Sequence, residues 1–107
     1  MVKYIKSYSK RYKMIFKENE KTELKRELND SFEKEVCAFL NTLGGQILIG
    51  IEDDGEVCGI ENADKTALII TDKIKNNILP SAMGLFNVEI KNLGEKNYII
   101  VTVASGL

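Results

Sequence analysis

The sequence predicts an α+β fold, a mixed or mainly antiparallel sheet of about four to five strands with two helices on one face. Two branched aliphatic runs, Gln46–Ile51 and Asn97–Ala104, are too short for helices and are typical of strands buried on both faces. Leu85–Lys91 alternates apolar and polar residues, as a half-buried strand does. Apolar residues at helical spacing within Asn29–Leu43, and again from Asn62 to about Leu79, predict the two helices.

The first predicted helix has clear end signals. Asp30 is expected to cap it with Glu33 reaching back, and Gly44 is expected to end it. Its buried stripe is expected to comprise Phe32, Val36, Phe39, Leu40 and Leu43. The preceding segment, Glu18–Leu28, fits either a helix or an edge strand, because its apolar spacing is compatible with both.

The stretch between the helices is predicted to contain a hairpin. Gly50 interrupts the aliphatic run, which indicates a bulge or a close approach of another backbone. Asp54-Gly55 is a hairpin turn signal, and Val57–Ile60 is expected to return as a short strand. Asn62 or Asp64 is expected to cap the second helix, and Pro80 prevents its extension. The expected buried face of this helix comprises Ala67, Ile70, Ile74 and Ile78.

The last part of the chain is predicted to be a pair of strands joined by a turn at Gly94. In the first strand Phe86, Val88 and Ile90 are expected to point inward. The second strand is nearly all apolar, which favours a central position in the sheet.

Composition limits the possible chemistry of this 107-residue chain, which is one domain in length. It has no histidine, which excludes His-based triads and the usual zinc ligands. Cys37 and Cys58 form no metal or redox motif, so both are expected to be core residues of a cytoplasmic protein. No apolar run approaches the ~18 residues of a membrane span, so no membrane partner is expected. Gly44-Gly45 precedes a strand rather than a helix, which argues against a phosphate-binding loop.

Charge is distributed unevenly along the chain. Residues 1–17 hold six basic residues and no acidic one, whereas the rest holds nine basic and sixteen acidic residues. Aromatic residues recur at every fourth position of this segment, a spacing compatible with one helical face. Interleaved cations and aromatic rings favour nucleic acid, with phosphate contacts expected from Lys10, Arg11, Lys13 and Lys17. The alternatives are a helix docked on the domain by its aromatic stripe, or a partly ordered tail.

The chain is therefore divided into a basic, aromatic arm, residues 1–17, and a domain, residues 18–107. The sequence stops at Ser105-Gly106-Leu107, directly after a predicted strand. This ending predicts a domain truncated at its C-terminal end, or a sheet edge completed by another chain, including a homo-oligomer.

Acidic residues occur in two groups that could meet. One group, before the first helix, comprises Glu18, Glu20 and Glu23, and the other, directly after the central strand, comprises Glu52, Asp53 and Asp54. If the first segment pairs beside the central strand, some of these carboxylates converge and suit Mg²⁺ or Mn²⁺, which would activate water for phosphate hydrolysis. The alternative is solvated surface.

Residues 18–25 and 38–59 together resemble the Schlafen/AlbA-like domain, also described as a divergent AAA-type domain. The resemblance is carried by Glu-x-x-x-x-Glu-Leu-Lys, then Ala-Phe-Leu-Asn-Thr-Leu-Gly-Gly, an aliphatic run, and Gly-Ile-Glu-Asp-Asp-Gly-Glu-Val-Cys-Gly. It implies an α+β fold with a strand, not a helix, within residues 18–28. It also implies nucleic-acid binding, often in bacterial proteins described as transcriptional regulators.

The same resemblance assigns roles to individual residues. In the vertebrate Schlafen branch three carboxylates form a metal-dependent endoribonuclease site, and the matching positions here are Glu18, Glu23 and Asp53. The lysine of the motif falls on Lys25 and implies a phosphate contact. These residues are also candidates for holding the fold together, Lys25 by pairing with an acid.

The main prediction is a bacterial, cytoplasmic nucleic-acid-binding domain of a transcriptional regulator that binds DNA rather than RNA. The basic arm, Lys25 and Arg26 would contact phosphates. Sequence specificity should be weak, because no helix is composed for base readout. One alternative is a ribonuclease dependent on Mg²⁺ or Mn²⁺ that uses Glu18, Glu23 and Asp53. Another is a structural or dimerisation module.

Overall fold

The computed structural model describes residues 2–6, 12–78 and 84–107, and it confirms the predicted α+β fold. The elements in chain order are β1 (Val2–Lys6), β2 (Tyr12–Phe16), β3 (Thr22–Lys25), α1 (Phe32–Leu40), β4 (Gly45–Ile49), α2 (Ala63–Asn77), β5 (Phe86–Leu93) and β6 (Lys96–Val103). Strands β3 to β6 form a mixed four-stranded sheet in the order β3-β4-β6-β5, and β1 pairs with β2 in a separate two-stranded sheet.

The segment that precedes the first helix is a strand, as the family resemblance implies. β3 runs parallel to β4, with Thr22 opposite Gln46 and Lys25 opposite Ile49. Parallel neighbours need a crossover connection, and α1 supplies it. The other pairs of the sheet, β4 with β6 and β6 with β5, are antiparallel.

The two central strands, β4 and β6, are buried on both faces, as their aliphatic sequences predict. Alternate residues of β4 point to opposite sides, so Ile47 and Ile49 face both helices while Leu48 faces away. The helix-side core contains Phe32, Val36, Phe39, Ile47, Ile49, Ile70, Ile74, Ile78, Ile99, Val101 and Val103. The opposite core is smaller and contains Phe16, Leu24, Leu48, Ile51, Val57 and Tyr98.

The start of α1 differs from the prediction. Ser31, not Asp30, occupies the N-cap position, and no side chain caps the helix. Glu33 does not reach back, because its carboxylate binds α2 instead. Lys73 Nζ lies 3.2 Å from Glu33 Oε1, and Asn77 Nδ2 donates to Glu33 Oε2 at 2.9 Å.

Two residues predicted to be buried on α1 or just after it are exposed. Leu43 is 77% exposed, because the helix ends at Leu40 and Gly44, at φ +83°, turns the chain away. The expected stop at Gly44 is confirmed by its N–H, which donates to the Phe39 carbonyl at 3.1 Å. Cys37 lies on the outer side of α1 and is exposed, so its assignment to the core is wrong, while Cys58 is half-buried.

Helix α2 begins where the sequence predicts. Asn62 accepts a hydrogen bond from the Lys65 N–H at 3.3 Å and caps the helix. Ile70, Ile74 and Ile78 are buried. Leu79 and Pro80 lie outside the described residues. In the described ranges, no helix is long and apolar enough to cross a membrane.

The central hairpin is confirmed, but its returning strand is shorter than predicted. The Gly55 N–H donates to the Glu52 carbonyl at 2.8 Å, which closes the turn. Val57–Ile60 contributes only a single bridge, Ile51 with Val57, because Cys58 and Gly59 both donate to the Gly50 carbonyl and leave the ladder. The expected close approach at Gly50 is confirmed, since a Cβ there would lie 3.2 Å from Tyr98 Cβ.

The C-terminal strands β5 and β6 pair through a two-residue turn at Gly94-Glu95. β6 lies between β4 and β5, so its predicted central position is confirmed. Phe86 and Val88 pack partly against the helix-side core, but Ile90 is 41% exposed and is not an inward residue. Helix α2 lies beside Phe86 and Val88, and Ile90 is farther along the strand.

The described part of the basic segment, residues 2–6 and 12–17, is not a helix. β1 and β2 form an antiparallel ribbon, with Val2 opposite Phe16 and Lys6 opposite Tyr12. The four-residue aromatic spacing suggested a helical face, but the segment is also rich in aromatic and β-branched residues, which favour extended structure. Lys10 and Arg11 lie outside the described residues.

Alanine substitutions at Leu48, inside the core, and at Leu43, outside it, test where the core ends. Leu48 is 1% exposed between the sheet and the hairpin, so Leu48→Ala should lower the free energy of unfolding by about 2–5 kcal/mol. Leu43→Ala removes the same atoms from an exposed site and should change the free energy of unfolding by less than about 0.5 kcal/mol. Urea denaturation monitored by circular dichroism measures both values. Equal losses for the two variants would contradict this core.

Candidate functional site

Glu18 closes the outer edge of β3. Its Oε2 accepts a hydrogen bond from the Leu24 N–H at 3.1 Å. Asn19 and Thr22 exchange two backbone hydrogen bonds, and Asn19 Oδ1 accepts from the Lys21 N–H at 2.8 Å. This tight turn holds the Glu18 carboxylate beside the strand that carries Glu23 and Lys25.

Lys25 is buried, with a side chain only 6% exposed. Its ammonium lies 2.8 Å from Glu35 Oε1, and it donates to Asn29 Oδ1 at 3.0 Å and to Ser31 Oγ at 2.8 Å. The ammonium therefore has a full set of partners within the protein. Lys25 fixes the 26–31 loop against α1, which is the structural role that the sequence left open for it.

Glu23 lies in a crowded acidic environment next to this lysine. Burial raises the pKa of its carboxyl, and the negative charges of Glu18 and Glu35 raise the pKa further. A hydrogen bond with Glu35 acts in the same direction, whereas Lys25 opposes it. We call Glu18, Glu23 and Glu35 the carboxylate cluster. Glu35 is not part of the buried stripe that the sequence predicts for α1, and only the parallel pairing of β3 brings it to Glu23.

Asp53 is not among the electrostatic partners of Glu23. It is exposed in the turn between Ile51 and Val57, and neighbouring Asp54 uses Oδ1 to accept from the Glu56 N–H at 3.0 Å. Across the described residues, no three or more His, Cys, Asp or Glu side chains are grouped to hold a metal ion. In the carboxylate cluster the positive charge beside Glu35 is the Lys25 ammonium. Glu18, Glu23 and Asp53 are therefore not grouped as metal ligands in this structure, and the divalent-metal site that the resemblance implies stays a prediction.

Arg26 connects the loop after β3 to the central hairpin. Its Nε lies 3.2 Å from Glu52 Oε2, and its side chain is 70% exposed, so the guanidinium remains accessible to solvent. Burial and the nearby Glu52 carboxylate raise the pKa of the Cys58 thiol. Like Arg26, Lys17 is exposed, and it lies just after β2. Lys13 belongs to β2.

The basic ribbon is attached to the domain at the end of β2. The Phe16 N–H donates to the Gly55 carbonyl at 2.8 Å, and Ile15 bridges to Glu56. The buried Phe16 ring meets Tyr98 edge-on, with centroids 5.5 Å apart. A Cβ at Gly55 would overlap the Phe16 carbonyl oxygen, so this junction requires glycine.

An open groove of about 750 Å³ lies between the loop after β3 and the start of α2. Its wall consists of Arg26, Glu27, Leu28, Cys58, Gly59, Ile60, Glu61, Thr66 and Ile69. The lining combines one cation, two acids and several apolar side chains. Sequence analysis did not find the groove, because its residues come from three separate segments with no shared pattern.

The fold and the site define a class: an α+β domain in which a parallel β3-α1-β4 unit carries a carboxylate cluster around a buried lysine. Residues 18–107 match the family described as Schlafen, AlbA_2, so the chain belongs to this family. Its fold is similar to the solution NMR structure of the N-terminal domain of a RecG-related protein from Nitrosomonas europaea. The TM-score is 0.60 at 21% identity, and the match covers 84% of this chain and 66% of that one.

Lys25→Met tests how much the buried ion pair between Lys25 and Glu35 contributes to stability. It leaves the largely buried Glu35 carboxylate without its cation, which should lower the free energy of unfolding by about 2–4 kcal/mol. Adding Glu35→Gln removes the unpaired negative charge and should recover part of the lost free energy of unfolding. Lys21→Met, at an exposed position in the turn before β3, is the matched control and should change stability by less than about 0.5 kcal/mol. A Lys25→Met variant as stable as the control would disprove the role of the pair.

Glu23→Gln should change the pH dependence of stability. Because the folded-state pKa of Glu23 is raised, the protonated form is favoured by folding, and its contribution to stability is lost as pH rises from about 4 through the raised pKa. The neutral amide avoids that loss, so the variant should melt at a higher temperature than the wild type at pH 7, with the difference shrinking towards pH 4. Thermal melts across this range, with exposed Glu20→Gln as the control, measure the effect. A constant difference at all pH values would contradict it.

Proposed function

We propose that this protein is a nucleic-acid-binding domain, directed to DNA, of a cytoplasmic transcriptional regulator. The observation that carries the proposal is that residues 2–6 and 12–16 of the most basic part of the sequence form a two-stranded ribbon attached to a compact, acidic domain. Cations concentrated on one element bind phosphates by releasing counterions, even though the net charge of the chain is −1.

Duplex DNA suits this ribbon by its dimensions. The major groove of B-DNA admits a two-stranded β-ribbon as well as an α-helix. The ribbon contains Lys3, Lys6 and Lys13 in its strands, and Lys10 and Arg11 belong to the segment that connects them in sequence. Contacts made by these residues to phosphates would position the protein without reading base sequence. We therefore propose binding with weak sequence specificity.

The domain would add contacts beside the ribbon. Lys17 is exposed where the ribbon joins the domain, and Arg26 presents an exposed guanidinium. Lys25 would act through Arg26, because its ammonium bonds order the 26–31 loop from which Arg26 projects. Membership of the Schlafen AlbA_2 family supports a nucleic-acid-related function. The name of the Nitrosomonas neighbour, which relates it to an ATP-dependent DNA helicase, agrees with this class.

The ribonuclease alternative stays a prediction. Glu18 and Glu23 are electrostatic neighbours, but Asp53 lies in the hairpin turn outside their cluster. Incubation of tRNA with the protein in Mn²⁺ or in EDTA, with Glu23→Ala and Asp53→Ala as comparisons, tests it directly. Metal-dependent cleavage that both substitutions abolish would replace the binding proposal with an enzymatic one.

Binding to fluorescein-labelled duplex DNA should fall steeply with salt. If all six basic residues of the segment contact phosphates, the slope of log K against log salt concentration should be about −5. Replacing Lys10, Arg11, Lys13 and Lys17 by glutamine should bring the slope about 3 to 4 closer to zero. Fluorescence anisotropy over a salt series measures both slopes.

A second variant with the same charge change serves as the control. It replaces four exposed lysines of the domain by glutamine, namely Lys21, Lys34, Lys65 and Lys75. If binding depends on the ribbon, this variant keeps most of the wild-type slope. Equal effects of the two variants, or an affinity independent of salt, would refute the proposed interface.

A further inference from the structure

The two edges of the four-stranded sheet differ in how they are protected. β3 has only four residues, and its outward-pointing Leu24 N–H already donates a hydrogen bond to the Glu18 carboxylate. β5 has eight residues, and no strand in the described ranges pairs with its outer edge. Its side chains from Glu89 to Leu93 are all exposed. A long, open edge strand is a template for pairing with another chain.

The hydrogen bonds to β6 determine which backbone groups of β5 point outward. The Ala104 N–H donates to the Leu85 carbonyl at 2.9 Å, and the β5–β6 register places these two residues opposite each other. Hydrogen-bonded and non-hydrogen-bonded pairs alternate along an antiparallel ladder. Asn87, Glu89 and Lys91 therefore bond to β6, whereas Val88, Ile90 and Asn92 direct their N–H and C=O groups away from the sheet.

The charge pattern of β5 selects one antiparallel register with a second copy. A two-fold axis at Glu89 or at Lys91 places like charges directly opposite each other. An axis at Ile90 instead places each Glu89 opposite the Lys91 of the partner subunit, in the closely spaced non-hydrogen-bonded pairs. In the monomer these two side chains already lie on one face, with Lys91 Nζ 3.0 Å from Glu89 Oε2.

We infer that β5 is a homodimerisation edge, at which two copies of this chain pair antiparallel about Ile90 to form a continuous eight-stranded sheet. About six main-chain hydrogen bonds would join Val88, Ile90 and Asn92 of the two copies. The half-exposed Ile90 side chains would meet on the two-fold axis. The partner's turn would lie beside Phe86, where an opening of about 250 Å³ separates β5 from α2. This inference does not depend on nucleic-acid binding.

Charge exchange on β5 tests the register. Glu89→Lys and Lys91→Glu each create like-charged pairs across the axis, so each variant alone should dimerise about ten-fold more weakly than the wild type. An equimolar mixture of the two variants restores opposite charges in a heterodimer and should recover dimerisation. The double variant Glu89→Lys/Lys91→Glu should also recover it. Sedimentation velocity at micromolar to millimolar concentrations measures each case, and melting temperatures confirm that the exposed substitutions leave the fold intact.

Glu20→Lys and Lys34→Glu are the matched controls, since they change the same charges at exposed positions away from β5. Neither control, alone or mixed, should alter the dimerisation constant. A wild-type protein that stays monomeric at millimolar concentration overturns the inference and leaves the β5 edge to a different occupant. A dimer that persists unchanged in both single variants, or that the controls weaken equally, overturns it as well.

Discussion

The burial of one ammonium group constrains much of the local architecture. Leaving Lys25 unpaired in its 6%-exposed position would incur a penalty of several kcal/mol, so Glu35, Asn29 and Ser31 must converge on it. This convergence fixes the 26–31 loop and engages the Ser31 hydroxyl at the start of α1. Burial is the main cause of the raised pKa of Glu23, and the convergence adds to it because it places the Glu35 carboxylate beside Glu23.

The two central strands of the sheet are alike in being buried on both faces, whereas its two edge strands differ in how their outer edges are protected. β4 and β6 bury both faces, one under the helices and one under the central hairpin and Phe16. Phe16 completes the second cover, because its buried ring meets Tyr98 edge-on. The ribbon is therefore coupled to the smaller core through its last residue. The β3 edge is blocked by a carboxylate, whereas β5 remains open.

The sequence predicts features that depend on local pattern. The limits of α2, the burial of β4 on both faces and the central position of β6 follow from periodicity, capping residues and aliphatic runs. Leu43 continues the spacing of a helical stripe and Cys37 belongs to no metal or redox motif, so the sequence predicts both in the core. Burial, however, depends on where the helix stops and which side meets the sheet. Val57–Ile60 has strand composition, yet Gly50 accepts two N–H groups there and the ladder ends. The carboxylate cluster and the groove depend on the pairing of distant segments, for which a single sequence holds no signal.

The distribution of charge along the chain, rather than the net charge, would govern how this protein approaches a polyanion. The domain carries sixteen acidic and nine basic residues beyond position 17, so at long range it repels phosphates. Screening reduces this repulsion over a Debye length of about 8 Å at physiological salt. Cations on the ribbon then act on nearby phosphates with little opposition from acids on distant surfaces. Arg26 is only partly available as a further cation, because Glu52 competes for its guanidinium. In the proposed binding to a polyanion, an acidic domain with a basic ribbon would favour an approach by the ribbon and disfavour the other faces, which would give orientation without base-specific contacts.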